Sequence, residues 1–234
     1  MKRTILDKTE LVNSVFSKVY NKYDLMNDIM SLGVHRIWKE KFIDWMNPVK
    51  NANLIDVASG TGDIAKLFSL KITNSSQITC VEPNEKMLSE GKKNLKNFNN
   101  INWIKSKAEN LPVEDNTYDF YSISYGIRNV TDINKSLREA YRVLKPGGRF
   151  MCLEFSKIDN EMINFIYKNY SKIIPSIGKY IVGTSEPYEY LIKSIDEFYS
   201  QQKLLELIVK NGFSNVEYRN LSNGISAIHS GWKI

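Results

Sequence analysis

Short, mostly apolar runs and longer amphipathic stretches follow each other through the middle of the chain. A short apolar run bounded by turn residues predicts a buried strand, and apolar residues at three- and four-residue spacing predict a helix. The predicted strands are residues 53–58, 77–82, 101–106, 118–124 and 149–155. The predicted helices between them are residues 62–70, 84–98 and 132–144. This alternation predicts a parallel sheet with helices on both faces.

Two polar residues and one turn support these boundaries. Asn84 and Asp132 stand directly before predicted helices, where a side-chain oxygen can accept the first unpaired backbone N–H groups. The sequence "KPGG" at residues 145–148 predicts a turn between the last of these helices and the fifth strand.

The alternation ends after residue 156. Residues 157–196 hold five of the thirteen tyrosines and show no clear helical pattern, which returns at 197–213. Residues 214–234 predict two strands around an "SNG" turn, and therefore an antiparallel pair. We expect one α/β domain over residues 1–234, with a helical cap at about 1–50 and an insertion on the substrate side of the sheet.

The segment "YDLMNDIMSLGVHRIWKE", residues 23–40, has helical spacing but an unusual mixture of side chains. Asn27, Asp28 and His35 are interleaved with its apolar positions, and Gly33 interrupts it. A helix that only packs against a core does not need this mixture. We interpret the segment as a cap that faces a ligand as well as the core.

Composition narrows the class of protein. The 234 residues, 42% of them hydrophobic, suit one domain with a sizeable core. No apolar run approaches the roughly 18 residues of a membrane span, and no apolar signal core follows Lys2 and Arg3, so we expect an intracellular chain. The net charge of +6 is compatible with a lysine-rich surface, an anionic membrane or nucleic acid, and no nucleic-acid motif is present.

The cysteines and histidines are few. Cys80 and Cys152 each lie in an apolar run, which predicts two buried thiols and not a disulfide. Only His35 and His229 accompany them, and no metal-ligand spacing occurs. We predict no metal.

The sequence "IDVASGTGD" places Gly60 and Gly62 where the first strand turns into the first helix of the sheet region. Glycines there let the backbone approach a ligand, and ligands bind beyond the carboxyl ends of parallel strands. Two cofactors fit. A dinucleotide and adenosylmethionine are both bound at such a glycine pattern. Both also need a carboxylate for the ribose hydroxyls, and Glu82 stands at the end of the second strand for this role. The adenosylmethionine pattern further includes an acidic residue before the glycines, here Asp56. A plain tight turn is the remaining interpretation.

Three features favour adenosylmethionine. Asp63 would repel a pyrophosphate but attract the cationic sulfonium or amino group. "KSKAENLP" after the third strand matches the loop that covers adenine in methyltransferases. "LKPGGRF" before the fifth strand, with an antiparallel terminal pair, matches the sheet of class I methyltransferases, which have a Rossmann-like fold.

The chain resembles the ubiquinone/menaquinone biosynthesis C-methyltransferases. "YDLMNDIMSLGVHRIWK" is similar to the first signature of that family, "RVLKPGGRFMCLEFS" to the second, and "SYGIRNVTD" matches between them. The resemblance covers residues from about Val15 to the final "SGWKI".

The resemblance implies adenosylmethionine as the cofactor, with Thr61, Glu82, Lys107, Ala108 and Ser124 around it. These residues join Asp56, Gly60 and Gly62 of the glycine turn. Glu82 stands where aspartate is commoner and is one methylene longer. Lys107 stands where Asn or Asp usually accepts the adenine amino group, and a lysine has no acceptor. We therefore expect only a backbone contact through Ala108 there.

The resemblance also implies methylation of a ring carbon on a polyprenylated quinol. Loss of a quinol hydroxyl proton makes that carbon nucleophilic, and the site must hold it about 3–3.5 Å from the methyl group. Arg128, after the fourth strand, is expected to stabilise the forming quinolate or to orient a water that takes the proton. Asn129 is expected to bind the second quinol oxygen, and Glu154, at the end of the fifth strand, to support the site from behind. Tyr23 and His35 complete the expected catalytic set. A structural Arg128, and a His35 that locks the cap to the sheet together with Trp38, are the alternatives.

The implied substrate carries a lipid tail. The aromatic insertion at 157–196 is suited to line a groove for the tail, and a dimer or packing surface is the alternative. The implied place is the cytoplasm with peripheral contact to the inner face of the membrane, and the implied partners are the quinol, a second copy or a quinone-biosynthesis assembly, without nucleic acid.

Other functions stay open. One is adenosylmethionine-dependent methylation of another small molecule. Amino-methylating nucleic-acid enzymes carry an Asn/Asp-Pro-Pro-aromatic motif where this chain has "SYGIRN", which argues against that class. A nicotinamide-binding oxidoreductase and a non-enzymatic quinone-binding partner are the remaining alternatives.

Overall fold

A seven-stranded sheet runs through the centre of the computed structural model, which describes residues 10, 12–15, 17, 20, 23–73 and 75–234. The strands are β1 Leu54–Val57, β2 Ile78–Val81, β3 Ile101–Ile104, β4 Tyr118–Ser124, β5 Leu144–Phe155, β6 Ser214–Leu221 and β7 Ser226–Trp232. Their order is β3-β2-β1-β4-β5-β7-β6. The first five strands pair in parallel, and β7 lies antiparallel to β5 and β6.

Eight α-helices of the described chain are named here in order. They are α1 Tyr23–Ser31, α2 His35–Met46, α3 Asp63–Ser69, α4 Glu85–Asn94, α5 Ile133–Val143, α6 Glu161–Val182, α7 Glu186–Glu197 and α8 Gln201–Lys210. The described residues before Tyr23 include further helical positions. None of the helices in the described part is long and apolar enough to cross a membrane.

The core lies on both faces of the sheet, since β1 and β2 are buried along their whole length. One hydrophobic cluster joins the sheet to α1, α2, α3, α6 and α7, and contains Trp38 and Phe68. The other joins the opposite face to α5 and α8, and contains Tyr121 and Leu204. The strand order reverses between β1 and β4, and in such sheets the crevice for a ligand opens at this point.

The sequence-based prediction of the mostly parallel sheet with an antiparallel terminal pair is confirmed. Both predicted N-caps are also present. The Asn84 side chain accepts hydrogen bonds from the N–H groups of Lys86 and Met87, and the Asp132 side chain accepts one from Lys135. Cys80 and Cys152 are buried free thiols, and burial raises the pKa of each.

The cap segment forms α1 and α2, which break at Gly33 in a left-handed conformation with φ of 77°. Trp38 attaches α2 to the end of β5 and to the turn between β6 and β7. Its indole Nε1 donates to Ser222 Oγ at 3.0 Å, and its ring meets Phe155 edge-on. Trp38 therefore attaches the cap to the domain, which is the structural role that the sequence analysis gave as one alternative.

Most of residues 157–196 form two helices, α6 and α7, although the sequence shows no clear helical pattern there. Pro175 lies inside α6 and removes one helical hydrogen bond, a cost that tertiary packing must offset. That packing is close. A Cβ on Gly178 would lie 2.2 Å from the ring of Tyr188, so only glycine lets α7 approach α6 this closely.

Candidate functional site

Strained backbone marks the carboxyl ends of β1 and β4. Ala58 and Tyr125, neither of them glycine, have positive φ values of 54° each. Gly60 and Gly62, in the turn from β1 to α3, have φ of 57° and 92°. A Cβ on Gly62 would also lie 2.5 Å from Leu95 Cδ1. Such conformations persist only where the surrounding fold enforces them, and they cluster at ligand sites.

Glu82 joins two loops at the end of β2. Its Oε2 accepts the Gly60 N–H and its Oε1 accepts the Asn84 N–H, both at 2.9 Å. Each oxygen keeps a lone pair for one further donor. Burial raises the pKa of Glu82 to about 7, and the two backbone N–H groups oppose this rise. The carboxylate is therefore fixed in place and ready to accept two hydroxyl groups.

Asp56 and Ser124 bring two unpartnered oxygens into the crevice. Asp56 Oδ1 accepts the Ser122 hydroxyl at 2.6 Å, whereas Asp56 Oδ2 and Ser124 Oγ are buried without a partner in the described chain. Burial raises the pKa of Asp56 to about 7, and the charges of Asp63 and Glu82 raise it further. Because a buried polar atom without a partner is costly, these atoms indicate a polar or cationic ligand.

Lys39 reaches this cavity from the cap. It lies on α2, is 6% exposed, and its Nζ is 2.5 Å from Asp63 Oδ2. Lys39, Asp56, Thr61, Asp63 and Ser124 line the same small cavity. The sequence analysis pairs the Asp63 charge with the cation of the cofactor. In the structure, Asp63 pairs with the Lys39 ammonium group of the protein itself. Lys39 was missed because no local signal links residues 24 positions apart.

The loop after β3 is held by Glu109. Its Oε1 accepts the N–H groups of Thr131 at 2.8 Å and Asp132 at 3.2 Å. Lys107 is exposed and Ala108 is buried. An exposed Lys107 side chain is what we expect if the backbone at Ala108 makes the adenine contact. The adenine contact itself stays a prediction.

The residues at this crevice fit adenosylmethionine. Glu82 presents acceptors for the ribose hydroxyls, and Asp56 and Ser124 present unpartnered oxygens for the methionine end. Gly60 and Thr61 form the turn between them. A pyrophosphate, in contrast, would meet three carboxyl groups, those of Asp56, Asp63 and Glu82, in or next to the crevice.

The model of the ubiE/COQ5 methyltransferase family matches residues 3–233. The chain belongs to this family. It is therefore a methyltransferase, and adenosylmethionine is its methyl donor.

Curated relatives agree. The chain is 50% identical to the ubiquinone/menaquinone biosynthesis C-methyltransferase UbiE of Rickettsia bellii (strain OSU 85-389), over 97% of this chain and 94% of that protein. It is 52% identical to the protein of the same name from Rickettsia akari (strain Hartford), with the same coverage.

Solved structures share the fold. A SAM-dependent methyltransferase of Thermotoga maritima, described as a possible histamine N-methyltransferase, superposes with a TM-score of 0.67 at 23% identity, covering 94% of this chain and 99% of that one. A SAM-dependent methyltransferase from Aquifex aeolicus gives 0.64 at 15% identity, covering 89% and 97%. At these identities the likeness concerns the fold alone.

In this methyltransferase Arg128 is a buried residue with several partners. Its Nη1 lies 2.7 Å from Glu154 Oε1 and 2.6 Å from the Tyr125 carbonyl, and its Nε donates to Ser194 Oγ at 3.3 Å. Burial raises the pKa of Glu154, and the Arg128 charge opposes that rise. The guanidinium is thus tied to β5, to α7 and to its own turn. Its contact with a substrate stays a prediction.

Asn129 lies beside the cofactor crevice. It lines a cavity with Glu82, Asn84 and Gly126, and its Oδ1 accepts the Tyr190 hydroxyl at 2.8 Å. Tyr190 comes from α7, and burial raises its pKa. Sequence reasoning missed Tyr190 as an individual residue. The only signal was the density of tyrosines in the insertion.

The polar residues of the cap mainly contact each other. His35 is buried, and its Nε2 lies 3.0 Å from Asp28 Oδ1, which also pairs with Arg36. Burial lowers the pKa of His35, as does the Lys39 charge, so the ring is neutral near pH 7. His35 Nδ1 and Asn27 Nδ2 are buried without a partner in the described chain. The catalytic role predicted for His35 stays open, and the side chain of Tyr23 lies outside the described residues.

A much larger cavity, about 910 Å³, lies between α6, α7 and the end of β5. Tyr167, Ile158 and Ile192 are among its lining residues. Burial raises the pKa of Tyr167 to about 12, the nearby Arg128 charge opposes this, and the hydroxyl has no partner in the described chain. Tyr167, on the cavity wall, therefore lies near Arg128.

Proposed function

We propose that this chain transfers a methyl group from adenosylmethionine to a ring carbon of a polyprenylated quinol in ubiquinone or menaquinone biosynthesis. The substrates considered are 2-polyprenyl-6-methoxy-1,4-benzoquinol and demethylmenaquinol. The observation that carries the proposal is the crevice of Glu82, Asp56 and Ser124, in a chain half identical to relatives named for this reaction. The 910 Å³ cavity next to the Arg128 region supports a bulky, lipid-tailed substrate.

Glu82, Asp56, Ser124 and Thr61 would hold the cofactor. The ribose hydroxyls would donate to the Glu82 oxygens, which the N–H groups of Gly60 and Asn84 already fix. Asp56 Oδ2 would accept from the amino group at the methionine end. When bound, the cofactor supplies one electrophilic methyl group. The chain's own contribution is to fix its orientation before the quinol arrives.

The quinol must become a better nucleophile. Loss of one hydroxyl proton would raise the electron density of the adjacent ring carbon, which would take over the methyl group as the donor's bond to it breaks. The ring carbon afterwards loses its hydrogen as a proton, and the ring is aromatic again. Asn129 and Arg128 would bind the quinol oxygens. Glu154 balances the charge of Arg128. Arg128 would therefore contribute mainly by donating hydrogen bonds that orient the quinol oxygens, and less by its net charge.

We propose that two buried groups of the cap act on the substrate. The Asn27 amide lacks a partner in the described chain and can donate to a quinol oxygen. His35 is neutral near pH 7 because burial lowers its pKa, so its unpartnered Nδ1 can accept a proton. We retain His35 and Tyr23 as the proposed proton acceptors, either directly or through water.

We propose that the protein contacts the inner face of the membrane reversibly, because its substrate would be a lipid and its net charge is +6. A quinone-biosynthesis assembly or a second copy are partners that this placement allows.

The test is methyl transfer to short-tailed benzoquinol and naphthoquinol analogues, kept reduced, with product masses measured. We expect a gain of one methyl group on at least one head group. Calorimetry with adenosylmethionine and with NADH gives the control, since an oxidoreductase would bind the second. Tight adenosylmethionine binding without methylation of either ring would favour another small-molecule substrate.

A further inference from the structure

The outer face of α6 is apolar and exposed. Five large side chains there are between 57% and 93% exposed: Met162, Phe165, Ile166, Ile173 and Tyr180. At 3.6 residues per turn they fall within about 100° of the helix circumference, an arc that also holds Asn169 and Ser176, and we call these five side chains the α6 stripe. Exposed apolar residues scattered singly need no explanation, but five large ones on one face of one helix indicate a contact surface.

The opposite face of α6 packs against the domain at several points. Ile174 is buried, the Tyr170 hydroxyl donates to the Ile29 carbonyl, and Gly178 contacts Tyr188 of α7. The helix is therefore anchored to the domain on its inner side. The α6 stripe is not needed to hold α6 in place.

A row of lysines runs beside the α6 stripe. Lys168, Lys172 and Lys179 are exposed and lie on one side of it, within roughly 40° of each other around the helix. Glu161, in the first turn, is the one acidic side chain of α6 and lies on the same side. An apolar face bordered by lysines is typical of a helix that lies in the interface of an anionic bilayer.

The α6 stripe borders the large cavity. Phe165 belongs to the α6 stripe and also lines the 910 Å³ cavity, as do Lys168 and Lys172 of the lysine row. A bilayer that contacts the α6 stripe would therefore also lie at the edge of the cavity. A lipid tail could pass between a bilayer and the cavity without crossing water.

We propose that the α6 stripe and its lysine row dock on an anionic lipid bilayer, with the large cavity open toward the lipid. The use of the cavity by a lipid-tailed quinol rests on the proposed function, whereas the docking surface does not. A second copy bound through an antiparallel pair of α6 helices would bring both lysine rows to the same side of the contact. This repulsion disfavours the dimer relative to an anionic membrane.

The test uses the full chain and vesicles of phosphatidylcholine with and without 30% phosphatidylglycerol. The variant Ile166→Gln/Ile173→Gln removes two apolar side chains that lie outside the cavity, with good helix formers in their place. We expect it to lose vesicle binding by about tenfold or more. Lys179→Gln should weaken only binding to the anionic vesicles, by a few fold, and most strongly at low salt.

Leu70→Gln/Val209→Gln is the matched control, because both residues are exposed apolar positions away from α6. It should bind vesicles like the unchanged protein. Methyl transfer to a short-tailed water-soluble quinol should be equal in all variants, so failure of that assay in the unchanged protein would count against the proposed function only. Vesicle binding that survives Ile166→Gln/Ile173→Gln overturns the docking proposal. A dimer in the unchanged protein that this variant dissociates, with vesicle binding intact, overturns it in favour of a second copy.

Discussion

The cofactor crevice and the α6–α7 insertion lie at the same edge of the domain but are built in opposite ways. In the crevice, buried polar groups are held by backbone: Glu82 by the N–H groups of Gly60 and Asn84, within loops of unusual φ. In the insertion, helices meet through side chains, and α6 leaves an apolar face exposed. The first arrangement suits one fixed small molecule. The second suits a long and flexible one.

The largest expected effect concerns the buried pair that connects the two regions. Arg128→Ala leaves the Glu154 carboxylate buried without its countercharge, so we expect a loss of about 3–5 kcal/mol in the free energy of unfolding. Denaturant titration at pH 7 measures it. The double variant Arg128→Met/Glu154→Leu should recover most of the loss. If the single variant is as stable as the unchanged protein, the pair does not connect the regions.

Arg128→Lys keeps the charge but loses the planar donor fork. We expect it to lower turnover more than it lowers cofactor affinity, and Arg128→Ala to lower turnover further. Kinetics must be compared below the unfolding transition of each variant. Near-normal turnover in Arg128→Ala would remove Arg128 from the mechanism and direct attention to His35 and Tyr23.

The second effect isolates the crevice. Glu82→Ala should weaken adenosylmethionine binding by about 1.5–3 kcal/mol, because it removes both charged acceptors of the ribose hydroxyls. Calorimetry measures the affinity. Glu82→Gln is the matched control, since it keeps the size and one acceptor, and should lose less. Unchanged affinity in Glu82→Ala would contradict the assignment of this residue.

The third effect is a pH dependence at the crevice. Burial raises the pKa of Glu82 and of Asp56 to about 7, so both are partly protonated at neutral pH without ligand. Cofactor hydroxyl and amino groups donate to the ionised forms. The affinity for adenosylmethionine should therefore rise with pH, by at most about tenfold per pH unit for each group. It should level off above about pH 7.

Stability without ligand should follow the opposite trend. Between about pH 4.5 and 7 the folded protein holds protons that the unfolded chain has released, so the free energy of unfolding should fall as pH rises through this window. Glu82→Gln should flatten both profiles. Profiles that are flat in the unchanged protein would show that these carboxyl groups ionise normally.

The smallest effect is on the insertion side. Tyr190→Phe removes the hydrogen bond to Asn129 and should change the transition-state free energy by about 0.5–1.5 kcal/mol, with cofactor affinity unchanged. Tyr199→Phe is a control, since that tyrosine is exposed and follows the end of α7. Equal kinetics for Tyr190→Phe and the unchanged protein would limit Tyr190 to packing.

The sheet region could be predicted from sequence because its signals are local. Asn84 caps the helix that it directly precedes, and the glycines at 60 and 62 lie in the turn that their spacing implies. The run at 118–124 is β4 to the residue. Each of these features depends on neighbours a few positions away.

The insertion and the cap contacts could not be predicted in the same way. Pro175 and the dense tyrosines argue against a helix in α6, and packing against α1 and α7 overrides them. Lys39 and Asp63 meet only because the cap folds over the first turn of the sheet region. Long-range contacts of this kind leave no periodic trace in the sequence.

The most direct test of the account is methyl transfer to one ring in its two oxidation states. If the nucleophile is a ring carbon activated by loss of a hydroxyl proton, only the reduced quinol should gain a carbon-bound methyl group, at a rate that rises with pH. The quinone has no such proton, and its ring is electron-poor. Methylation of the quinol and not of the quinone, with the new methyl on carbon, is the predicted result. Equal rates on both, or a methyl group on oxygen, would contradict the account.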